Sequence, residues 1–303
     1  MPLTTISAAD IVVFMVIHLV RIAGIIMMIV LCIIYPFLPG GYDSLAMPLS
    51  IMAQAFGVLG LLLVPMGALW LVYELRNQAR RRQNLPVKVR RYAFVLVSVI
   101  IASVIAIVIA LIALATIGFS FALLTLALWL YIASRLIPGL KSLKSAEDQR
   151  VHAVPLYLIV IPIATLVLQL GLAAPLTDFS RNHAITNSSD FIRDIEAYHD
   201  KHGHYPVSLS AMWKDYYPNI VGVEKFHYLP YGESYNLFFE QPRFFLDNIG
   251  TREWVVYNPD DDQRMYSHTS WFLLLTPEEL ERSQGWYEVH DAATPHWKYF
   301  WFD

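Results

Sequence analysis

Three closely spaced histidines are the clearest candidates for ligand chemistry in this sequence. His199, His202 and His204 are spaced H-x-x-H-x-H, and two histidines three positions apart on a helix can face one metal ion. Imidazole suits zinc and copper. The alternative is that His199 packs beside Tyr198 and that the other two belong to a helix-ending turn, where a cationic imidazole favours the helix dipole.

A second cluster consists of the consecutive aspartates Asp260, Asp261 and Asp262, which follow Asn258 and Pro259. Carboxylates in a turn can bind calcium together with backbone carbonyls, although the full EF-hand pattern is absent. A solvated acidic turn is the alternative. Nucleophile-elbow, zinc-protease, phosphate-loop and dinucleotide motifs are absent from the sequence. We therefore expect a protein that is not an enzyme and that has no cofactor unless these clusters hold zinc or calcium.

A third candidate lies within an apolar stretch. His18 and Arg21 are three residues apart and share one face of a predicted membrane helix. An ionisable residue at that depth is costly and commonly marks a functional site, which suggests a polar path for transport or sensing. The alternative is structural: Arg21 extends to the cytoplasmic surface or pairs with Glu74, Gln54 or a backbone carbonyl.

The composition divides the 303 residues between two environments. The chain is 56% apolar and 16% charged, against about 45–50% and about 25% in average globular proteins, and its mean hydropathy is +0.45. Residues 1–175 carry twelve basic and five acidic side chains, whereas residues 176–303 carry ten and twenty. We expect a membrane domain at 1–175 and an extracytoplasmic domain at 176–303. The composition is not that of a disordered or disulfide-rich chain.

Five apolar stretches have about the length that crosses a bilayer. They lie at about residues 11–38, 49–73, 92–116, 119–137 and 154–174. Lipid offers the backbone no hydrogen-bond partners, so each should be a helix. The first lacks a basic leader and is longer than the apolar part of a signal peptide, so we expect it to be retained. We also expect a turn at Gly118 and kinks at Pro65 and Pro162.

Basic residues set the orientation of these spans. They concentrate between the second and third spans and around the loop between the fourth and fifth: Arg76, Arg80, Arg81, Arg82, Lys88, Arg90 and Arg91, then Arg135, Lys141, Lys144 and Arg150. We therefore predict a multi-pass protein of the bacterial inner membrane, with a cytoplasmic N-terminus and a periplasmic C-terminal domain. Positive-inside anchoring explains the basic loop, and its single aromatic residue, Tyr92, does not favour a nucleic-acid partner.

The extracytoplasmic region predicts a helix followed by short strands. Asn187 to Asp190 offers N-cap residues, and Gly203 suits a left-handed C-cap. A short second helix is predicted at Ser208–Trp213. Strands are predicted at Phe226–Leu229, Ser234–Glu240, Trp254–Tyr257, Met265–Ser267 and Trp271–Leu275.

The predicted helix ends in the sequence DFIRDIEAYHDKHGHYP, from Asp190 to Pro206, and is followed by YLPYGESYNL from Tyr228 to Leu237. These segments resemble the helix end and the hairpin of type IV pilins and type II secretion pseudopilins, over about residues 155–270. The apolar stretches predict a five-helix membrane bundle. The resemblance implies that this bundle is followed by an α+β domain, whose N-terminal helix packs on a small antiparallel sheet. Because four spans precede the fifth apolar stretch and no acid lies within that stretch, the resemblance implies this fold rather than assembly into a pilus.

The chain ends in an aromatic segment that contains Trp297, Tyr299, Phe300, Trp301 and Phe302. It suits a core strand, a partner contact or a membrane-interface anchor. The sequence as a whole predicts a non-enzymatic membrane protein that presents its periplasmic domain to other envelope proteins. The alternatives are a transport or sensing protein that uses His18 and Arg21, and a metal-dependent enzyme that uses the histidine cluster.

Overall fold

Seven α-helices account for most of the described residues. The computed structural model describes residues 8–83, 85–86, 91–116, 118–142, 152–212, 214–247, 251–263, 265–267, 273–275 and 287–302. The helices are α1 (Ala8–Ile34), α2 (Ala46–Gly60), α3 (Val64–Arg82), α4 (Arg91–Thr116), α5 (Phe119–Ser142), α6 (Val154–Asn187) and α7 (Ser189–His202). Of the predicted basic loop residues, Lys88, Arg90, Lys144 and Arg150 lie outside the described residues.

Four helical stretches are long and apolar enough to cross a membrane. They are Met15–Phe37, Ala46–Arg82, Arg91–Ala115 and Val154–His202. The predicted fourth span corresponds to a shorter apolar stretch, Phe119–Arg135, within α5. The expectation of a protein with membrane-length apolar helices and a small antiparallel sheet is confirmed.

The predicted turn at Gly118 is confirmed and a 3-10 turn lies just before Pro65, whereas α6 continues through Pro162 without interruption. Between α2 and α3 the chain forms a single 3-10 turn at Leu61–Leu63, directly before the helix that contains Pro65 near its start. Proline lacks the amide hydrogen that a continuous helix would need there. Between α4 and α5 the chain turns at Gly118, whose φ of +121° is a conformation that glycine adopts readily.

The chain divides into two compact units. The helical unit consists of Met1–Ile33 and Ile51–Leu170, and the sheet unit consists of Ile34–Ser50 and Gly171–Asp303. The boundary after residue 170 lies close to the one expected after residue 175. The sequence analysis had assigned the loop at residues 34–50 to the membrane domain, whereas its contacts group it with the sheet unit.

Backbone hydrogen bonds hold this loop within the sheet unit. The amide of Val221 donates to the carbonyl of Leu38 at 3.0 Å, and the amide of Gly40 donates to the carbonyl of Asn219 at 3.0 Å. The ring of Phe37 stacks on Phe244, with the ring centroids 4.6 Å apart. The loop is therefore a strand-like addition to the unit formed by the C-terminal residues.

Helix α7 has the predicted bounds and the predicted C-cap at Gly203, whereas its N-cap residue, Ser188, makes no side-chain capping bond. Phe191 and Ile195 on one of its faces are buried. Gly203 adopts a left-handed conformation with φ +74°, and its amide donates to the carbonyl of His199 at 2.8 Å. The second predicted helix is instead a 3-10 turn at Leu209–Met212, and Trp213 lies outside the described residues.

The sheet unit contains seven described strands. They are β1 (His227–Tyr231), β2 (Ser234–Gln241), β3 (Arg252–Tyr257), β4 (Met265–Ser267), β5 (Leu273–Leu275), β6 (Tyr287–Asp291) and β7 (Trp297–Phe302). The main sheet has the order β1-β2-β3-β7-β6 and every pairing in it is antiparallel, while β4 and β5 form a separate pair. The predicted hairpin between β1 and β2 is confirmed and turns at Gly232, whose φ is +53°.

Alternate residues of the strands pack on opposite faces of the main sheet, as the pleat requires. Val255 and Trp297 belong to the main core, which also contains Phe191 and Ile195 of α7. Val256 and Phe300 form a smaller buried cluster. The terminal aromatic strand β7 therefore supplies buried side chains to both clusters.

Candidate functional site

The structure brings together two of the three clustered histidines. The ring of His199 stacks on Tyr205, with the centroids 4.3 Å apart. His202 and His204 lie on either side of Gly203, and their ring centroids are 6.3 Å apart. Among the residues that the structure describes, no group of three or more His, Cys, Asp or Glu side chains is placed to hold a metal ion.

The aspartate turn is organised by a buried amide that the sequence analysis did not single out. Asn258 is fully buried, and its Oδ1 accepts hydrogen bonds from the amides of Asp260 at 2.8 Å and Asp262 at 3.0 Å. Its Nδ2 donates to the carbonyl of Tyr235 at 3.0 Å. Such side-chain to backbone bonds are typical of Asn at the start of a turn. The Asn258-Pro259 sequence could therefore have identified Asn258 as the residue that organises this turn. Calcium binding stays a prediction.

His18 and Arg21 have different surroundings in the helical unit. The Nδ1 of His18 lies 2.8 Å from the hydroxyl of Tyr157 on α6, whereas the side chain of Arg21 is exposed. The two side chains suggested as partners of Arg21 have other partners. Glu74 binds Arg91, and Gln54 accepts a hydrogen bond from Gln169. The transport or sensing hypothesis stays a prediction.

The bond between Glu74 and Arg91 is a buried ion pair. The Nε of Arg91 donates a hydrogen bond to Oε1 of Glu74 at 2.8 Å, and its Nη2 donates one to Oε2 at 2.9 Å. Trp70 adds a third donor to Oε1 at 3.1 Å. This two-pronged pair joins α3 to α4 at the two ends of the basic loop. An arginine fork matches a carboxylate in this way, which explains why one of the seven loop cations is buried.

A second buried ionic cluster lies in the sheet unit. Glu253 of β3 accepts a hydrogen bond from Arg181 of α6 at 2.7 Å and from the indole of Trp301 at 2.8 Å. Arg243 also approaches Glu253, at 3.9 Å. Asp178 and Asp247 contact the outer sides of the two arginines. Glu253 is distant in sequence from Arg181 and Trp301, so spacing gave no signal for their association.

The same arginines pack on aromatic rings of the terminal strand. The guanidinium of Arg181 lies 3.9 Å from the ring centroid of Tyr299, and that of Arg243 lies 4.1 Å from the centroid of Trp301. Trp297 and Phe300 are buried, and β7 lies between β3 and β6. The side chain of Phe302 lies outside the described residues. The sequence left three interpretations of this segment open, and the structure places it as a core strand. Partner contact through this segment stays a prediction.

Two tyrosines donate hydrogen bonds to one carboxylate between α7 and the sheet. Tyr235 donates to Oε1 of Glu196 at 2.9 Å and Tyr205 donates to Oε2 at 3.3 Å. Burial, reinforced by the nearby Glu196 charge, raises the pKa of Tyr205 to about 12 and raises that of Tyr235. Burial also raises the pKa of Tyr228. At neutral pH these phenols therefore act as hydrogen-bond donors and neutral packing groups.

A groove of about 430 Å³ opens beside α7. Its apolar lining comes from Phe191, Leu209, Tyr216, Tyr217 and Phe226, and its polar lining from Ser210, Lys214, Asp215 and Lys225. The rings of Tyr216 and Phe191 are parallel, with centroids 4.0 Å apart. Pockets that bind ligands combine an apolar lining with a few polar groups in this way.

A carboxylate on α7 fixes one wall of the groove. Asp194 accepts hydrogen bonds from Lys214 and from the hydroxyl of Tyr216. These two bonds lower the pKa of Asp194, and burial together with the bond to Asp194 raises the pKa of Tyr216. Two large apolar side chains nearby in sequence, Val207 and Tyr217, are 83% and 67% exposed. The groove thus has a wall held by Asp194 and an exposed aromatic side chain, Tyr217, at its edge.

Comparisons with protein-family models, with curated proteins and with solved structures found no match to this chain.

Proposed function

We propose that this chain is a multi-pass protein of the bacterial inner membrane that holds an α+β domain in the periplasm for contact with another envelope protein. The proposal has three parts, which are the number of crossings, the side on which the sheet unit lies and the surface that a partner binds. Each part is supported by a different observation.

The sheet unit supports five crossings. The loop at residues 34–50 and the residues after Gly171 belong to the same compact unit, so both lie on one side of the bilayer. A chain that leaves a side and returns to it must cross an even number of times. The α2–α3 pair, α4 and α6 supply three crossings between these segments, and α5 supplies the fourth. With α1 the total is five.

Charge supports the periplasmic side. The cations at the two ends of the loop between α3 and α4 include Arg80, Arg81 and Arg82 in the last turn of α3, and positively charged loops stay in the cytoplasm. The loop at residues 34–50 contains Asp43 and no cation. The sheet unit then lies outside the cytoplasm.

The resemblance to pseudopilins supports the description of the sheet unit as an α+β domain, which all three parts of the proposal share. In the sheet unit, the end of α6 and α7 supply Ala184, Ile185, Phe191 and Ile195 to the core that the antiparallel strands share. A helix packed on a small antiparallel sheet is what the resemblance implies. Function depends on the site rather than on the fold, so the contact surface needs its own argument.

The main support for contact with another envelope protein is the groove beside α7. Exposed aromatic and apolar side chains that border a pocket are typical of the anchor positions of protein interfaces. On its rim Lys214 is bound to Asp194, whereas Lys225 is exposed and lies 3.6 Å from the exposed Glu224. An exposed pair of this kind contributes little, so Lys225 can pair with a carboxylate of an occupant instead. The occupant that fits is a segment of another envelope protein with an apolar side chain flanked by a carboxylate.

The test is photocrosslinking in growing cells. A photoreactive phenylalanine derivative replaces Tyr217 at the groove or, as the matched control, Glu233 in the exposed turn between β1 and β2. Irradiation should join one other envelope protein, identified by mass spectrometry, to position 217 but not to position 233. Lys225→Glu in the same background should reduce this adduct because it reverses the charge of the rim.

Three results would contradict the contact function. These are the absence of an adduct at position 217, equal adducts at both positions, and an adduct with a second copy of this chain.

Deletion of residues 297–302 would be a poor test of partner binding. Since β7 is an inner strand, its removal would unfold the sheet.

A further inference from the structure

Two imidazoles flank the left-handed residue that ends α7. Gly203 reverses the chain direction there with φ +74°, so that His204 returns beside the last residue of the helix, His202. Their ring centroids are 6.3 Å apart, and both side chains are exposed. The left-handed cap thereby places two histidines on one surface.

Hydrogen bonds fix which nitrogen of each ring carries the proton. The Nδ1 of His202 lies 2.9 Å from the carbonyl oxygen of Tyr198, and the Nδ1 of His204 lies 3.0 Å from that of Tyr205. A carbonyl oxygen only accepts hydrogen bonds, so Nδ1 must be the donor in both rings. In the neutral imidazole the lone pair is then on Nε2.

The bond from Nδ1 to a carbonyl is one that histidine ligands of metals also make. A ligating imidazole almost always donates its second nitrogen to a carbonyl or carboxylate, which orients the ring and selects the tautomer. The ring of Tyr198 adds a further constraint, since it packs against His202 at 4.1 Å between centroids and edge-on against His204 at 5.9 Å. Both rings are thus held before any ligand arrives.

His199 does not share this geometry, although it lies in the same sequence cluster. Its ring stacks on Tyr205 at the edge of the main core. The cluster therefore offers two ligands, with the remaining coordination positions left to water.

We propose that His202 and His204 together bind one divalent transition-metal ion through their Nε2 atoms. Imidazole ligands suit copper, nickel and zinc, and affinity for such a site increases towards Cu²⁺. We therefore expect Cu²⁺ to bind more tightly than Zn²⁺. The site is independent of the groove and of the membrane topology.

The experiment is a titration of the full-length protein in detergent, purified with a tag that contains no histidine. Cu²⁺ or Zn²⁺ alone is added and its affinity is measured by competition with a chromogenic chelator. His202→Ala and His204→Ala should each weaken Cu²⁺ binding at least about tenfold, as loss of metal ligation or its support generally does. The matched control His199→Ala should change it by less than about threefold, and near-UV circular dichroism checks the fold of each variant.

Electron paramagnetic resonance of the Cu²⁺ form gives a second measurement. The spectrum should show coupling to two imidazole nitrogens in the wild type and in His199→Ala. It should show coupling to one in His202→Ala and in His204→Ala. The proposal is overturned if the wild type does not bind a single Cu²⁺ per chain. It is also overturned if His199→Ala weakens binding as much as His202→Ala, or if the double variant His202→Ala/His204→Ala keeps the wild-type affinity.

Discussion

At the scale of single residues, the buried charges of this molecule are held by partners on other elements. Glu74 receives both prongs of Arg91 in the helical unit, and Glu253 lies among two arginines and an indole in the sheet unit. Removal of one member of a buried ionic group leaves the others without compensation, which destabilises far more than the loss of an exposed pair.

Glu253 provides the test of this view. Glu253→Gln should lower the free energy of unfolding by about 3–5 kcal/mol, because two buried arginines lose their shared carboxylate. The matched control is Glu240→Gln on β2, whose half-exposed side chain is 3.6 Å from Arg252 and should contribute less than about 1 kcal/mol. Thermal and denaturant unfolding of the detergent-solubilised chain, followed by near-UV circular dichroism, measures both. Equal effects would mean that the cluster is not a stabilising group.

Asp194 makes a prediction about pH. Hydrogen bonds from Lys214 and Tyr216 lower its pKa in the folded chain, so its contribution to stability is present above the unfolded pKa of about 4 and is lost as the pH falls through the folded value. Asp194→Asn should therefore show a smaller loss of unfolding temperature below about pH 4 than the wild type does.

The control for Asp194 is the exposed Asp215 on the groove. Asp215→Asn should keep the pH dependence of the wild type in the same thermal scans. An unchanged acid transition in Asp194→Asn would show that the wall of the groove does not depend on this carboxylate.

At the scale of elements, three glycines allow α2 and α3 to approach α6 closely. A Cβ atom at Gly57 would lie 2.8 Å from Thr165, one at Gly60 would lie 3.1 Å from Pro162, and one at Gly67 would lie 2.8 Å from Ile159. Small residues at helix contacts are the usual means of close packing in membranes, where the hydrophobic effect does not drive helices together.

Gly67→Leu should therefore destabilise the helical unit by about 1–3 kcal/mol or more, because the added atoms overfill the contact. The matched control is Gly24→Leu on α1, where a Cβ atom would meet no other atom within 4 Å. The fraction of protein that stays monodisperse after heating, measured by size-exclusion chromatography in detergent, should fall for Gly67→Leu alone. Equal loss in both variants would contradict the close contact.

Elements that depend on local chemistry were predictable from the sequence. Long apolar runs predicted the helices, Gly203 predicted the end of α7, and the turn chemistry before Ser234 predicted the β1–β2 hairpin. Strand β6 was missed because its sequence, YEVHD, has no apolar run. The pairing of Leu38 with Val221 and the ion pair of Arg181 with Glu253 join residues far apart in the chain, and no local pattern encodes such contacts.

At the scale of the whole molecule, the account depends on which side of the bilayer each loop occupies. The loop at residues 34–50 packs with the C-terminal residues in one unit, and the basic loop residues lie in the segment between α3 and α4. Together these two features support the proposal of a periplasmic sheet unit, in which the groove and the histidine pair would face the envelope rather than the cytoplasm.

The chain contains a single cysteine, Cys32, which allows a direct measurement of sidedness. In a Cys32→Ser background, single cysteines replace Tyr42, Glu233, Leu85 or His152, and intact cells are treated with a membrane-impermeant thiol reagent. The account predicts that positions 42 and 233 are labelled in intact cells, whereas positions 85 and 152 are labelled only after permeabilisation. Labelling of position 152 from outside, or of position 42 but not 233, would contradict five crossings and a periplasmic sheet unit.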